Sequence, residues 1–470
     1  MGYDPLAVYK MAVSGVPAYP TFLRESLGAI PEVESLEDFR KLPTTDKHGY
    51  IARFPLEAIC LDGTLRGKHV ICRSSGTSGH PVYWPQLPEQ ERDSVRWVMS
   101  DFEELLHVRE APALAVVALG LGPWISGELA SWSLRSAAIE GGCITLATPG
   151  YNLDVAVEIL GRFGPHFAQT VLLSYPPFAK AIIEGARGLG TPVESLRVSL
   201  RLVGEGYSEH YRDYMMRLLG YEERDAFRIW AGYASTDFGR AGKESPVAVA
   251  CRRLLHKSGL VEQILGTSVI PSICQFDPES FYLEVVDGEL VITRHQGVPL
   301  VRYRTGDRGQ LLAFEEMMGR FLECGLSPLE TVKSFGFDER SIRRLPFVLV
   351  EGRMDGGVTF FGANIIVEQI RDCIESNASL TEQVTGAFQI FKTQDASLNP
   401  VLELRLERRG GAKGADAAEV ARVVAKELAS RSTEYAMILG QEKERALPIV
   451  SFVEEGALLK GNKVHYVNRE

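Results

Sequence analysis

The stretch Ala113-Leu114-Ala115-Val116-Val117-Ala118-Leu119-Gly120-Leu121 is a continuous apolar run that predicts a buried strand in a parallel sheet. Gly122 and Pro123 end the run, and a helix is predicted over 125–140, followed by a short strand at 143–147. Further helices (153–163, 178–189 and 208–218) then alternate with further strands (170–173 and 199–203). This alternation predicts a layered α/β core around a mostly parallel sheet.

From about residue 280 the pattern changes to short alternating strands, at 281–286, 289–293 and 300–303. They predict a small antiparallel or barrel-like subdomain. The polar, Gly-rich segment 351–357 indicates a domain boundary. We therefore expect an α/β protein with a large N-terminal domain of layered subdomains at 1–354. A small α+β C-terminal domain is expected at 355–470.

The composition is that of an ordinary globular protein, with 470 residues, 45% hydrophobic and 24% charged. A net charge of −10 and the lack of a long basic run argue against nucleic acid or a membrane surface as a partner. The first residues have no signal-peptide character, so the cytoplasm is the expected location. Seven scattered cysteines, an odd number, argue against a disulfide framework.

A loop rich in small hydroxylic residues and glycine follows the apolar residues 69–72 and precedes Val82-Tyr83-Trp84. Its residues are Ser74, Ser75, Gly76, Thr77, Ser78, Gly79 and His80. Backbone N–H groups and hydroxyls in such a loop can hold a phosphate. The flanking strands predict a hairpin, which is not the Walker geometry, and no Gly-Lys-[Ser/Thr] triplet occurs here. An ordinary Ser/Gly-rich surface loop is the alternative.

Four further polar clusters follow along the chain, at 233–237, 303–307, 352–355 and 460–463. In the first, the Tyr233 ring could stack on a base and the Asp237 carboxylate could hold Mg²⁺. In the second, Asp307 could accept hydrogen bonds from a ribose diol. Each cluster taken alone also fits an ordinary turn, a helix cap or a solvated tail.

Together and in this order, the clusters resemble the motifs of the adenylate-forming ligases, and among them the phenylacetate–CoA ligase-like branch. The similarity runs from Leu42 to the C-terminus, beginning with Pro43-Thr44-Thr45-Asp46-Lys47. The segment 301–307, Val-Arg-Tyr-Arg-Thr-Gly-Asp, is similar to the branch's Arg-Tyr-Arg-Thr-x-Asp. Gly352-Arg353 with Asp355 looks like the interdomain hinge.

The resemblance implies two half-reactions: a carboxylate and ATP form acyl-AMP and pyrophosphate, and an acceptor such as CoA then takes the acyl group. It implies that the C-terminal domain is mobile. Residues 74–80 and Thr236 would bind phosphates, with Mg²⁺ on Asp237. The nucleotide base and ribose would contact Gly204, Glu205, Gly206, Tyr233, Asp307 and Arg353. Asp355 would be the hinge, and Lys463, or else Lys460, the catalytic lysine.

Two residues depart from the pattern of the family. His80 stands where the family commonly has Lys, so the loop loses a fixed positive charge. Asp237 stands where the family has Glu and is one methylene shorter.

Some ligases of this branch carry a structural zinc, and four residue types suited to zinc lie in the corresponding region. These are Cys251, His256, Cys274 and Cys324. Three Cys and one His would suit a tetrahedral Zn²⁺ site. Unrelated core cysteines are the alternative.

The acid pocket is expected around aromatic and small residues near the reaction centre. They are Trp124, Ser126, Trp132, Trp230, Gly232 and Phe238. The aromatic residues favour an aryl or arylacetic acid, although tryptophans at helical spacing also pack cores.

Three acceptors other than CoA remain open: an amine, a hydroxyl or a protein cysteine. A non-catalytic nucleotide-binding relative is a further alternative, and a homodimer is also considered.

Overall fold

The computed structural model describes residues 2–74, 82–122, 125–141, 143–338, 342–354, 357–365, 367–375, 377, 380, 383–409, 416–455, 457–460 and 463–464. The chain divides into two compact units. The first comprises Met1–Ser74 and Tyr83–Gly352, and the second comprises the residues from Arg353 onward.

The helices are α1 Pro5–Gly15, α2 Ala18–Leu27, α3 Leu36–Lys41, α4 Leu56–Ile59, α5 Pro88–Leu106, α6 Ile125–Gly141, α7 Leu153–Phe163, α8 Pro176–Gly188, α9 Glu209–Leu218, α10 Pro246–Ser258, α11 Val261–Leu265, α12 Phe314–Glu323, α13 Pro328–Ser334, α14 Val367–Glu375, α15 Ala417–Arg431 and α16 Thr433–Glu442. Among the helices that the structure describes, none combines the length and the apolar character that a bilayer span requires.

The strands are β1 Val70–Arg73, β2 Tyr83–Gln86, β3 Ala113–Ala118, β4 Ile144–Ala147, β5 Gln169–Ser174, β6 Val198–Leu202, β7 Ile229–Ser235, β8 Gly239–Lys243, β9 Ser272–Gln275, β10 Tyr282–Val286, β11 Glu289–Arg294, β12 Leu300–Leu312, β13 Phe347–Arg353, β14 Val358–Phe360, β15 Ala363–Ile365, β16 Val384–Gln394, β17 Pro400–Arg408, β18 Ile449–Val453, β19 Leu459–Lys460 and β20 Lys463–Val464.

The first unit is built on an 11-stranded sheet with the order β10-β11-β12-β13-β9-β8-β7-β6-β5-β3-β4. Strands β4, β3, β5, β6 and β7 are parallel, as the alternation of strands and helices predicts. Every residue of β3 and β5 is buried, and burial on both faces explains why β3 is apolar throughout rather than alternating. The α/β class is therefore confirmed.

The other half of this sheet is largely antiparallel. Strand β7 pairs antiparallel with β8, and β13 pairs antiparallel with β9. Strands β10, β11 and β12, predicted as a small antiparallel or barrel-like subdomain, pair antiparallel with one another and continue the same sheet at its other end. The local alternation identifies the strands, but it does not carry the information that they extend a distant parallel sheet.

The second unit has a three-stranded sheet of its own, with β16 and β17 antiparallel and β17 and β18 parallel. Its apolar core joins these strands to helices α14, α15 and α16. The predicted mixture of helices and strands is confirmed here, and the mobility of this unit stays a prediction.

Candidate functional site

The predicted site residues Ser126 and Gly204 meet Tyr175, which was not predicted, at the carboxyl ends of the parallel strands. Ser126 lies at the start of α6 after β3, and its Oγ is 3.4 Å from the Tyr175 hydroxyl, which follows β5. Gly204, which follows β6, has a φ of +85°, and a Cβ there would lie 2.4 Å from Cε1 of Tyr175. Ligands of α/β sheets bind at this edge. Ser126, Tyr175 and Gly204 therefore form one side of the candidate site.

A second close approach of two backbones sets the position of Ser126. A Cβ on Gly127 would lie 2.0 Å from the carbonyl oxygen of Gly120, so only glycine lets α6 begin this close to the end of β3. The Ser174 hydroxyl donates to the carbonyl of Ala118 at 3.1 Å and joins the ends of β5 and β3. The edge that carries Ser126 and Tyr175 is thus fixed from both strands.

Asp237 lies in the turn between β7 and β8 and is buried. Its Oδ2 accepts a hydrogen bond from the Tyr303 hydroxyl at 2.7 Å, and the Nζ of Lys47 lies 3.2 Å from the same oxygen. Gln296 donates to the main-chain carbonyl of Asp237 at 2.7 Å. Asp237 is therefore held by its side chain and its backbone at once.

Lys47 reaches this site because its own segment pairs with β12. The Thr45 amide donates to the carbonyl of Arg302 at 3.0 Å, and the Arg304 amide donates to the carbonyl of Thr45 at 2.8 Å. The Thr45 hydroxyl also donates to the carbonyl of Val301 at 3.0 Å. Lys47 was not predicted as a site residue, although it belongs to the segment 43–47 that carries part of the resemblance.

Tyr233 and Asp307 form a second pair of the same kind. The Tyr233 hydroxyl donates to Oδ2 of Asp307 at 2.8 Å, and both residues are half-buried. Tyr233 lies on β7 and Asp307 on β12, while Tyr303 of β12 binds Asp237 after β7. Each of the two predicted motifs thus supplies a tyrosine to the aspartate of the other, and we name this arrangement the reciprocal Tyr–Asp pairs.

The predicted acid-pocket residues are divided between the site and the core. Trp230 is 1% exposed and belongs to the apolar core of the first unit. Phe238 is also buried, and its ring packs 5.4 Å from that of Tyr233. The half-buried Trp132 lies edge-on to the imidazole of His69, with ring centroids 6.5 Å apart. Gly232 lies on β7, opposite Lys243 of β8.

An aromatic cluster that was not predicted lies beside Ser126. The rings of Tyr151 and Phe178 stack at 4.1 Å with an interplanar angle of 10°, and Tyr151 also packs 6.1 Å from Tyr175. Tyr175 precedes Pro176-Pro177, which begin α8, and this placement after a buried strand is the signal that could have identified it.

The fold is similar to that of solved structures. The chain matches 2-hydroxyisobutyryl-CoA ligase in complex with 2-HIB-AMP and CoA in the thioesterification state. The TM-score is 0.66 and the identity 16%, over 99% of this chain and 87% of that one. The same ligase in the postadenylation state gives a TM-score of 0.52 at 15% identity, over 99% and 88% of the two chains. The chain has the fold of this CoA ligase. No family model and no curated protein sequence matches it.

Within this fold, the predicted phosphate loop is described only at its base. Strands β1 and β2 pair antiparallel, with Arg73 opposite Tyr83, so the predicted hairpin is confirmed. Ser74 is buried at its start. The other predicted phosphate ligands of the loop lie outside the described residues, and they are Ser75, Gly76, Thr77, Ser78, Gly79 and His80. Trp124, predicted for the acid pocket, also lies outside the described residues.

The other predicted nucleotide contacts have described positions. Thr236 is half-buried in the turn beside Asp237. Glu205 is half-buried and Gly206 exposed after β6, and a Cβ on Gly206 would lie 3.1 Å from the Ser272 hydroxyl.

The predicted residues of the second unit are described only in part. Arg353 is half-buried at the end of β13, and Asp355 lies outside the described residues. Lys460 and Lys463 face each other in the register of β19 and β20. Their side chains lie outside the description, so the choice between them stays a prediction.

Asp237 has the donor chemistry that Mg²⁺ requires. Both side-chain contacts described above are made to Oδ2, and among the residues that the structure describes no partner binds Oδ1. A carboxylate oxygen that remains available suits a hard cation bound through one carboxylate and substrate phosphates.

The structure does not bring the four predicted zinc ligands together. Cys251 is fully buried in α10, where burial raises the pKa of its thiol, and burial raises the pKa of Cys274 on β9 to about 12. Cys324 ends α12. In the described ranges, no three of these side chains form a group of neighbouring ligand atoms; His256 lies instead with His210 and Asp213. The cysteines fit the alternative reading of core residues.

Proposed function

We propose that the chain is an ATP-dependent ligase that activates an aryl or arylacetic acid as acyl-AMP and transfers the acyl group to CoA. The observation that carries the proposal is the reciprocal Tyr–Asp pairs. Their partners are 66 and 74 residues apart in the chain, so two distant motifs meet through specific hydrogen bonds. The adenylate-forming fold supports the same reading, since 2-hydroxyisobutyryl-CoA ligase shares it in complex with an acyl-AMP and CoA.

In the first half-reaction, Asp307 accepts hydrogen bonds from the ribose hydroxyls of ATP. Tyr233 orients that carboxylate through its hydroxyl and leaves its ring face for the adenine. Gly204 permits close approach of the nucleotide, because it has no side chain beside Tyr175. Positioning of this kind lowers the barrier by placing the acid in line with the α-phosphate.

Asp237 would hold Mg²⁺ through Oδ1, and the ion would supply positive charge to the phosphates. Tyr303 and Lys47 keep the carboxylate in one orientation by binding Oδ2. Thr236 and the loop 74–80 supply the hydroxyl and amide donors to the phosphates. The carboxylate of the acid attacks the α-phosphorus, and pyrophosphate leaves.

The acid is proposed to lie beside Ser126 and the aromatic cluster of Tyr151, Tyr175 and Phe178. Stacked and edge-on rings provide flat apolar walls that suit an aromatic substrate. The hydroxyls of Ser126 and Tyr175 can orient its carboxylate.

In the second half-reaction, the unit that begins at Arg353 is proposed to rotate about Asp355 and admit CoA, whose thiolate attacks the acyl carbonyl and releases AMP. Lys463 is the proposed lysine of the first half-reaction. The cytoplasm is the proposed location.

ATP–pyrophosphate exchange tests the proposal, with benzoates, phenylacetates, 2-hydroxyisobutyrate and a long fatty acid as candidate acids. We expect exchange with an aromatic acid, its loss in Lys463→Ala, and a thioester identified by mass when CoA is added. The matched variant Lys460→Ala should keep exchange. AMP binding without exchange for any acid would overturn the proposed ligase activity. An amide or ester in place of the thioester would overturn CoA as the proposed acceptor.

A further inference from the structure

Three side chains with metal-binding atoms meet between helices α9 and α10. His210 and Asp213 lie on α9, three residues apart and therefore on one face, and His256 lies in the last turn of α10. One ligand atom from each of the three lies within 4.8 Å of the other two. We call this set the His–Asp–His cluster, and it shares no residue with the candidate adenylation site.

The ligand atoms of the cluster approach a common point. The Nε2 of His256 lies 3.1 Å from Oδ2 of Asp213, and the rings of His210 and His256 stand edge-on at 4.7 Å with an angle of 86°. Perpendicular imidazoles can direct one nitrogen each toward a common point, as ligands of one ion do. His210 is exposed and the other two are half-buried, which leaves an ion a path from solvent.

A supporting contact orients the carboxylate. Arg253 of α10 donates to Oδ1 of Asp213 at 2.7 Å, which leaves Oδ2 on the side of the imidazoles. Arg253 is itself paired with Glu223 at 2.7 Å and with Glu209 at 3.2 Å. Its positive charge is thus offset by carboxylates before any ion binds. Partners of this type fix the orientation of metal ligands in proteins.

The helix dipoles at the cluster act in opposite directions. His256 lies near the C-terminus of α10, where the partial negative charge of the helix favours a bound cation. His210 lies near the N-terminus of α9, where the partial positive charge of the helix disfavours one. The side chains themselves must therefore decide the affinity.

We propose that the His–Asp–His cluster binds a divalent transition-metal ion, Zn²⁺, through His210, Asp213 and His256. Two imidazoles and one carboxylate are a ligand set that zinc accepts, with water completing the tetrahedron. The ion joins α9 to α10. The site is independent of the proposed ligase activity and takes none of the cysteines as ligands.

The test uses untagged full-length protein stripped of metal with a chelator, so that no affinity tag binds zinc. We expect calorimetric titration with ZnCl₂ to show one equivalent bound, and Co²⁺ to give the visible absorption of a tetrahedral site. His210→Ala and His256→Ala should each weaken binding at least about tenfold, since even the loss of an outer partner costs that much. The exposed His166 provides the matched control His166→Ala, which should bind zinc as the unaltered protein does.

A plain histidine–aspartate ion pair predicts a different pattern. In that case His256→Ala lowers the melting temperature of the metal-free protein. ZnCl₂ then raises the melting temperature of neither the unaltered chain nor the His256→Ala variant. That result, or equal zinc binding by His210→Ala and the unaltered chain, overturns the proposal. Asp213→Asn keeps the size of the side chain and removes its charge, so it separates loss of a ligand from loss of packing.

Discussion

The ammonium group of Lys47 lies 3.2 Å from Oδ2 of Asp237, on the oxygen that Tyr303 also binds. The proposed magnesium ligand is therefore already paired with a lysine from the N-terminal part of the chain. A cation that binds Oδ1 would do so against the charge of Lys47, so under the proposed function Lys47 would raise the Mg²⁺ concentration needed for activity.

Replacing this lysine should make Mg²⁺ bind more tightly. Even in water, two unit charges about 4 Å apart interact by about 1 kcal/mol, so Lys47→Met should lower the half-saturating Mg²⁺ concentration roughly fivefold. The measurement is pyrophosphate exchange at varied Mg²⁺. Lys41→Met removes an exposed lysine paired with Glu37 at 2.9 Å and should leave the curve unchanged. A higher Mg²⁺ requirement in Lys47→Met would assign Lys47 to the phosphates instead.

Removing the Tyr233 hydroxyl should weaken ATP binding without removing the adenine platform. A net hydrogen bond contributes about 1 kcal/mol, so Tyr233→Phe should raise the KM for ATP roughly fivefold. Asp307→Ala should raise it further and should reduce the preference for ATP over 2′-deoxy-ATP. Because the two residues act through one bond, their effects should be less than additive in the double variant. Full additivity would show that Tyr233 does not orient Asp307.

Gly204→Ala should reduce exchange with every acid that the protein accepts. The new Cβ would lie 2.4 Å from the Tyr175 ring, which must move away from Ser126. Gly190→Ala is a close control, because Gly190 has a φ of +84° and no neighbour within 4 Å of the added Cβ. Both variants carry the same backbone strain of about 1–2 kcal/mol, so equal activities would exclude a role for the Tyr175 position.

The buried carboxylate of Glu209 predicts sensitivity to acid. Burial raises the pKa of Glu209, but the guanidiniums of Arg212 and Arg252 lower it more, from 4.5 to about 2. Because the pKa is lower in the folded protein, the ionised carboxylate stabilises the fold above about pH 4.5, and this contribution is lost as the pH falls towards 2.

Glu209→Gln tests this contribution directly. Leaving buried Arg212 short of a partner should cost about 3–5 kcal/mol of unfolding free energy at pH 7, measured by denaturant titration. The variant should lose less stability than the unaltered chain between pH 4.5 and 2. The exposed Glu37 provides the control Glu37→Gln, for which no such loss is expected. Equal stability of all three proteins at pH 7 would contradict the prediction.

The sequence predicts best the elements whose signal is local. The helix predicted at 153–163 is α7 at the same residues, because apolar residues recur there at helical spacing between an Asn152 cap and a glycine. Strand β3 is recognisable because it is buried on both faces. By contrast, β8 reads Gly-Arg-Ala-Gly-Lys and has no apolar alternation, so its place beside β7 depends on a partner that the local pattern does not reveal.

The same distinction applies to the site. The residue types at Tyr233, Asp237 and Asp307 are recognisable from their motifs, but the exchange of tyrosines between the two motifs is a property of the folded sheet. Lys47 joins Asp237 only because Thr45 pairs with β12, more than 250 residues away along the chain. The zinc prediction relied on residue types without spacing, and among the described residues neither Cys251 nor Cys274 joins His256 in a group of ligand atoms.

The proposed acid pocket and the reciprocal Tyr–Asp pairs lie on different strands of the sheet, which has a practical consequence for engineering. The aromatic cluster follows β4 and β5 in the parallel half, whereas Asp237 lies in the turn after β7, and Tyr303 and Asp307 lie on β12. A mutant library confined to Tyr151 and Phe178 would therefore vary the proposed acid pocket and leave the reciprocal Tyr–Asp pairs unaltered. Directed evolution of the proposed activity could change the acid specificity without altering the residues proposed to bind ATP.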